Sequence, residues 1–420
     1  MNLAKPAGRV RWVICALLFA AIALSYVDRL VISVLKPTLQ QQYHWSEQGY
    51  GDVVFWFQAS YGLGLLLSGR LLDRIGPRLG YLLAMGLWTA AHMGHALVRS
   101  TFGFAWMRIP LALGESGTLP AALAAAAEWF PQSERAFAIG VFNAGANVGA
   151  IVTPLVVPLL TLSLGWQSAF IVTGLANLVW LVLWWGYYRT PRQHRSVSAA
   201  ELAYIESDQP GRQPQPRAPW RRLLRQRQTW AYLGGRFLID PVWWTFLFWL
   251  PDFFHRARGI DLADFGPPLV VIYLTSDVGS VYGGWLSSRL LRSGATVNGA
   301  RKRAMFCCAL LAVPVIGAQY TAGLWTTVAL IGLACAAHQG FSANLYSMPA
   351  DLFPRWAQGS VVGLGGFAGA VGGMLMAKVA SLTLASTGSY APVFVFAAVA
   401  YLLALGLTHL INPQYRAVEP

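Results

Sequence analysis

The chain has 420 residues, 56% of them hydrophobic and 11% charged, with a mean hydropathy of +0.48 and a net charge of +14. This composition excludes a water-soluble enzyme of two or three domains and describes a protein dissolved in lipid. The excess positive charge is not a nucleic-acid footprint, because no basic domain or base-stacking platform accompanies it.

From the N-terminus onward, apolar segments recur that are about 18 to 25 residues long, enough to cross roughly 30 Å of hydrocarbon as helices. Twelve are expected, near 12–35, 50–71, 80–98, 102–127, 135–160, 166–187, 229–251, 265–287, 303–320, 324–350, 359–382 and 391–411. The fold class is therefore an all-α membrane protein. The first span is too long, and lacks a small-residue cleavage site, to be a removable signal peptide. Arg189 to Gln228 is the only long polar segment; rich in Arg, Pro, Gln and Ser, it predicts a linker between two six-helix halves, 1–188 and 229–420. Within the linker, SVSAAELAYIE (196–206) predicts a short capped amphipathic helix lying against the membrane.

Orientation follows from the basic residues, which cluster on the cytoplasmic side of membrane proteins. Only Lys36, Arg99, Arg256 and Arg258 fall on the opposite side, and Arg29, Arg108, Arg236 and Lys378 fall inside spans. Both termini and the linker are thus expected in the cytoplasm. Arginine far outnumbers lysine, which points to a GC-rich bacterial genome and a bacterial plasma membrane. A monomer is expected. Cys15, Cys307, Cys308 and Cys335 have no ligand partners at metal spacing, so neither a metal nor an organic cofactor is expected.

The halves resemble each other. EWFP (128–131) corresponds to DLFP (351–354), and at the same offset Gly140 falls on Gly363, Gly149 on Gly372 and Glu115 on His338. GRLLDRIG (69–76) corresponds to GWLSSRLL (284–291). Two like-oriented halves joined by a basic loop suit a transporter that rocks around a central cavity. GRLLDRIGPRLG (69–80) follows the second span; Gly69, Asp73, Arg74 and Arg78 in it are candidate latch residues that pair across helix ends and part when the halves move. The alternative is a solvated basic turn.

LSYVDRLVIS (24–33) sets Asp28 and Arg29 where the flanking residues indicate hydrocarbon, and the fourth span carries Arg108 and Glu115. Ionisable groups at that depth cost about 2.5 to 3.5 kcal/mol on insertion scales and usually face a polar cavity or one another. Arg108 and Glu115, two helical turns apart, share a face about 10 Å apart in rise, whereas adjacent Asp28 and Arg29 point about 100° apart. Arg29 and Arg108 are candidate carboxylate clamps, and Asp28 and Glu115 are candidate proton carriers; structural ion pairs are the alternative. Pro120 is expected to bend the fourth span near Glu115. Tyr61, and Asn143 with Asn147 on one face of the fifth span, are candidate hydroxyl partners or packing groups. In RFLIDPVWWTFLFWLP (236–251), Arg236 and Asp240 form an i, i+4 pair and Trp244 could stack on a sugar ring. His338, Asp277 and Tyr346 are further polar candidates, and Lys378 is expected to snorkel to an interface.

With SYVDR (25–29), the Arg108 to Glu115 spacing, GESGTLPAALAAAAEWFPQSERA, RFLIDPVWWTFLFWLP and DLFPRWAQGSVVGLGGFAGAVGGMLMAK, the whole chain resembles the anion:cation symporters of the major facilitator superfamily, most closely the hexuronate branch. The resemblance implies a proton-driven carrier of organic anions, with no cofactor beyond the coupling proton. It implies coupled protons on the carboxyls at Asp28 and Glu115, and substrate contacts from Arg29, Arg108 and Tyr61. Some hexuronate carriers lack an acid at the place of Asp28, whereas aldonate and aldarate carriers have the Asp-Arg pair found here. A hexuronate such as galacturonate or glucuronate is the expected substrate, with an aldonate, aldarate, tartrate or aromatic acid as the alternative. A membrane enzyme would need a nucleophile with its base or a metal cluster, and neither stands at plausible spacing. An exporter of lipophilic cations is opposed by two embedded arginines; a sensor that transports nothing would leave Asp28 and Glu115 without a role.

Overall fold

The structure is a computed structural model and describes residues 8–207 and 220–418. Regular structure among the described residues is helical throughout, and each predicted span falls on helix. Val10–Tyr43 is the first, and Glu47–Gly94 carries the second and third. Thr101–Glu115 with Thr118–Trp129 forms the fourth, Gln132–Asn143 with Gly145–Leu164 the fifth, and Trp166–Tyr187 the sixth. Beyond the linker come Arg227–Arg258, Gly266–Arg292, Val297–Ala312, Leu324–Leu345, Arg355–Thr387 and Ala391–Ile411. Among the described residues, eight helical stretches are long and apolar enough to cross a membrane; the second, third, fourth and seventh spans lie in helices that are kinked, broken or more charged. Several helices overrun their predicted ends, the seventh reaching Arg258, because hydropathy registers only the apolar stretch while the helix continues past it.

Two interruptions have clear causes. The second span turns into the third at Gly76, whose φ of 75° is a conformation glycine adopts freely, and Pro77 then opens the next helix with its φ already set. The fourth span breaks at Ser116 and Gly117. Pro120 has no N–H and its ring crowds the carbonyl of residue 116, whose oxygen instead accepts from Ser68 Oγ at 3.4 Å. The predicted bend therefore falls one turn before the proline, directly after Glu115.

Small residues set the closest helix approaches. A Cβ on Gly149 would stand 2.3 Å from the Ala23 carbonyl oxygen of the first span, and one on Gly372 would stand 2.3 Å from the Phe237 carbonyl oxygen of the seventh. The repeat relation between Gly149 and Gly372 thus extends to an equivalent contact. Gly140 and Gly363, also related by the repeat, face open space. Gly149→Ala and Gly372→Ala should each lower the apparent melting temperature in detergent by about 5 °C, since backbone must move. Gly140→Ala and Gly363→Ala should leave it unchanged in the same thermal scan.

The linker helix Ala199–Glu206 is capped as predicted, Ser198 Oγ accepting from the Glu201 amide at 3.1 Å. It docks on protein: Arg11 of the first span lies 3.2 Å from buried Glu201 and 3.1 Å from Glu134, and its guanidinium covers the Tyr204 ring. Gln228 donates to the Arg416 carbonyl at 3.0 Å. Both described ends of the chain therefore lie at the linker end of the bundle.

Candidate functional site

Arg29 lies where the helices preceding the linker meet those following it. Its Nη2 and Nε are 2.7 Å and 2.8 Å from Glu115 Oε2. Its guanidinium carbon lies 4.7 Å from the Tyr26 ring, 5.5 Å from Phe57, 4.9 Å from Tyr61 and 5.2 Å from Trp244. The first three rings come from spans one and two and the indole from span seven. A planar, weakly hydrated cation suits such an enclosure better than an ammonium group would.

The seven-residue spacing brings Arg108 and Glu115 to the same neighbour by different routes. Glu115 takes the Arg29 guanidinium, while Arg108 Nη2 donates to the Arg29 carbonyl at 3.0 Å and its guanidinium rests 4.7 Å from the Phe57 ring. Arg108 is fully buried, and its Nε and Nη1, like Oε1 of Glu115, have no hydrogen-bond partner among the described residues. Two guanidinium groups against one carboxylate leave the cluster with an excess of positive charge.

Asp28 faces the other way, as adjacent helix positions must. Its Oδ2 accepts from Trp88 Nε1 at 3.1 Å and Asn177 Nδ2 at 2.6 Å, and His92 Nε2 lies 3.2 Å from Oδ1 and 2.7 Å from Thr173 Oγ1. Asp28 is enclosed by spans one, three and six, and the predicted quartet divides into Arg29, Arg108 and Glu115 on one side and Asp28 on the other.

Of the remaining predicted contacts, Tyr61 and Trp244 join the Arg29 cluster, with ring centroids 5.8 Å apart. Asn147 donates to Asp277 across the two sets of helices, and Asn143 is exposed. His338 stands apart, within the second set: Nδ1 is 3.1 Å from Tyr401 Oη, Nε2 is 3.2 Å from Ser342 Oγ, and the Trp243 ring stacks on it. Its repeat counterpart Glu115 reaches an arginine; the span-seven arginine, Arg236, is instead held by Asp240 at 2.7 Å, which also accepts from Tyr346 Oη at 2.9 Å. Among the candidate latch residues, Gly69 has open space around it and Arg74 is exposed, while Arg78 donates to the Trp185 carbonyl at 3.1 Å and covers its ring. The Asp73 side chain lies outside the described residues.

At the end of the bundle away from the linker, a network joins the two sets. Lys36 Nζ, fully buried, lies 2.7 Å from Asp252 Oδ2 and 2.8 Å from Glu47 Oε2. Arg256 pairs with both carboxylates, the Tyr390 hydroxyl donates to Asp252, and Tyr50 Oη donates to the Phe248 carbonyl at 2.7 Å. Lys378, expected to snorkel, pairs with Asp52. Towards the linker, by contrast, Asn143 and Tyr346 are exposed. The site expected in a central cavity is packed shut in this structure: Arg29 is 3% exposed and Glu115 2%.

Sequence reasoning did not single out Tyr26, Phe57, His92 or the Lys36–Glu47–Asp252 network. Tyr26 stands one turn before Arg29, and Phe57 one turn before Tyr61, so helical spacing from residues already chosen would have found both. His92 is an ionisable group in the apolar run AAHMGHA and met the rule applied to Asp28. Lys36 and Arg256 served only as markers of topology, and spacing gives no signal for their pairing across distant helices.

Residues 18–298 match the Major Facilitator Superfamily. The chain is 30% identical to the D-galactonate transporter of Escherichia coli O6:H1 over 99% of both chains, and 30% identical to the hexuronate transporter of Escherichia coli K12 over 98% of this chain and 96% of that one. It is 34% identical to the galacturonate transporter of Dickeya chrysanthemi over 66% of this chain and 81% of the relative. In fold it is similar to a bacterial homolog of the human lysosomal transporter Spinster, crystallised inward-facing and occupied, with a TM-score of 0.78, 17% identity, and coverage of 99% of this chain and 100% of that one.

Proposed function

The chain belongs to the Major Facilitator Superfamily, and from that premise we propose that it is a proton-coupled importer of a sugar acid in the bacterial plasma membrane. A hexuronate is the leading substrate and an aldonate the second, since the relatives are named for both classes. The observation that carries this reading is Arg29: a buried cation, ringed by aromatic side chains from both sets of helices and neutralised by a single carboxylate.

The chemistry follows from competition for that cation. A substrate carboxylate binding the Arg29 fork bidentately through Nε and Nη2 displaces Glu115, because Glu115 occupies those same two donors. Glu115, deprived of its counter-ion in a buried site, then takes up a proton, for an unpaired buried carboxylate is the costlier state. Tyr61 and Trp244 offer faces for the sugar, and Arg108 holds the main chain of Arg29 in place. Asp28, enclosed on the reverse side of the same helix turn, is the second proton position. Residues 1–188 and 229–420 act as the moving bodies, with Gly69, Asp73, Arg74 and Arg78 as a latch at the linker end. Each positive charge carried inward gains about 2.3 kcal/mol per 100 mV of membrane potential.

The test is uptake of labelled galacturonate into proteoliposomes under an imposed inward proton gradient, with galactonate, tartrate and benzoate as competitors. Accumulation that a protonophore abolishes and galactonate inhibits supports the reading. Equilibration without accumulation removes the coupling, and preference for benzoate removes the sugar acid.

The network at the far end gives a second expected result. Asp252→Asn leaves the ammonium of Lys36 with Glu47 alone and weakens the joint between the sets. A Phe57→Cys probe in a chain lacking its native cysteines should then react several-fold faster with an impermeant maleimide applied from the side bearing Lys36. Unchanged labelling would show that the network does not hold that end closed.

A further inference from the structure

VVFWFQASYG (53–62) carries one amide, Gln58, in a run where Ser60 is the only other polar side chain ahead of Tyr61. Gln58 is fully buried, and neither Nε2 nor Oε1 has a hydrogen-bond partner among the described residues. Burying an amide unpaired is costly, so packing alone would be better served by Leu or Met. Its surroundings point to a use. Phe57 and Tyr61, on either side in the same helix, are two of the rings around Arg29.

The residue facing Gln58 from span eleven is Gly373. A Cβ there would stand 3.3 Å from Gln58 Cδ and 2.8 Å from Trp244 Cδ1, so amide and indole border the same point on span eleven. The same indole lies 5.2 Å from the Arg29 guanidinium carbon. A cation, an aromatic face and an unpaired amide thus stand side by side, drawn from spans one, two and seven. An amide both donates and accepts, and so does an alcohol, so the two pair in either sense.

We propose that Gln58, opposite Gly373, forms a hydroxyl-binding subsite beside the Arg29 clamp. Its amide binds one hydroxyl of the acid whose carboxylate Arg29 holds, and Trp244 covers the carbons between. This rests on the sugar-acid reading above and adds the residue that selects polyhydroxy acids over plain carboxylates. Gly373 carries no side chain where one would collide with the indole and crowd the amide.

The experiment is equilibrium binding of labelled galacturonate, and in parallel galactonate, to the full-length protein in detergent, with competition by the monodeoxy derivative at each hydroxyl position. In the wild type, one derivative should compete about tenfold more weakly than the parent, the worth of one good hydrogen bond. Gln58→Met, close in volume, should weaken the parent about tenfold and leave that derivative unchanged, so discrimination at that position disappears. Gln58→Asn, which keeps the amide, should restore part of it. If Gln58→Met keeps the wild-type pattern, or weakens parent and all derivatives equally, Gln58 only packs and the subsite is wrong. Should the wild type bind neither labelled acid, the sugar-acid reading itself fails and takes the subsite with it; binding without an effect of Gln58→Met sinks the subsite alone.

Discussion

Glu115→Gln should abolish gradient-driven accumulation of substrate while counterflow between equal pools survives. In the structure one oxygen of Glu115 holds both Nη2 and Nε of Arg29, and the other is unpartnered among the described residues. A glutamine keeps the shape and one acceptor, so Arg29 stays positioned, but it neither competes as an anion nor carries a proton. Exchange, in which a loaded carrier returns loaded, requires only that Arg29 bind substrate. Accumulation requires that Glu115 gain its proton on one side and lose it on the other. The variant therefore separates the two assays: accumulation falls to the equilibration level, counterflow stays within about threefold of wild type, and the pH dependence of exchange flattens. Loss of a charge partner from a buried pair costs about 3–5 kcal/mol when nothing replaces it. The retained amide oxygen keeps the cost below that, and a thermal scan shows whether the variant is folded. A Glu115→Gln protein that still concentrates substrate against its gradient would place coupling elsewhere, with Asp28 the next group to neutralise.

How far the site could be read from the sequence depends on how local each interaction is. Spans were legible because a twenty-residue apolar run has one stable solution in lipid. The repeat marked Gly149 and Gly372 as equivalent but not as contacts, since Gly140 and Gly363 are equivalent too and face open space. Arg29, Arg108 and Glu115 were found because charge in an apolar span calls for a partner, and Arg108 and Glu115 do converge on Arg29. That Asp28 faces Trp88, His92 and Asn177 was only half legible: helix geometry required it to leave Arg29, but which neighbours receive it is set by how spans three and six pack. His338 shows the converse. Its repeat relation to Glu115 is real as sequence, yet an imidazole cannot serve as an arginine's counter-ion: His338 pairs with Tyr401 and Ser342, and Arg236 is held by Asp240 on its own helix. Least legible was the Lys36–Glu47–Asp252 network, whose members are each unremarkable at a helix end and gain meaning only from being brought together.

Arg29→Lys should reduce substrate affinity about 100-fold, nearly as much as Arg29→Ala, although it keeps the charge. The guanidinium presents Nη2 and Nε in one plane to a carboxylate, and its carbon lies 4.7, 4.9 and 5.2 Å from the Tyr26, Tyr61 and Trp244 rings. A lysine ammonium is a compact, strongly hydrated point charge that matches neither the two-point contact nor the aromatic enclosure. Losing one charge-assisted hydrogen bond costs about 1.5 to 3 kcal/mol, and imperfect burial of the ammonium adds to it, which together reach the factor of about 100. Arg108→Lys provides the contrast. Among the described residues Arg108 makes one hydrogen bond, to the Arg29 carbonyl, and a lysine at that position retains a donor and the positive charge. It should therefore cost about tenfold or less in affinity. Binding of labelled galacturonate to the two variants ranks them directly: a larger loss at Arg108 than at Arg29 would exchange their roles, making Arg108 the clamp and Arg29 the group that holds Glu115.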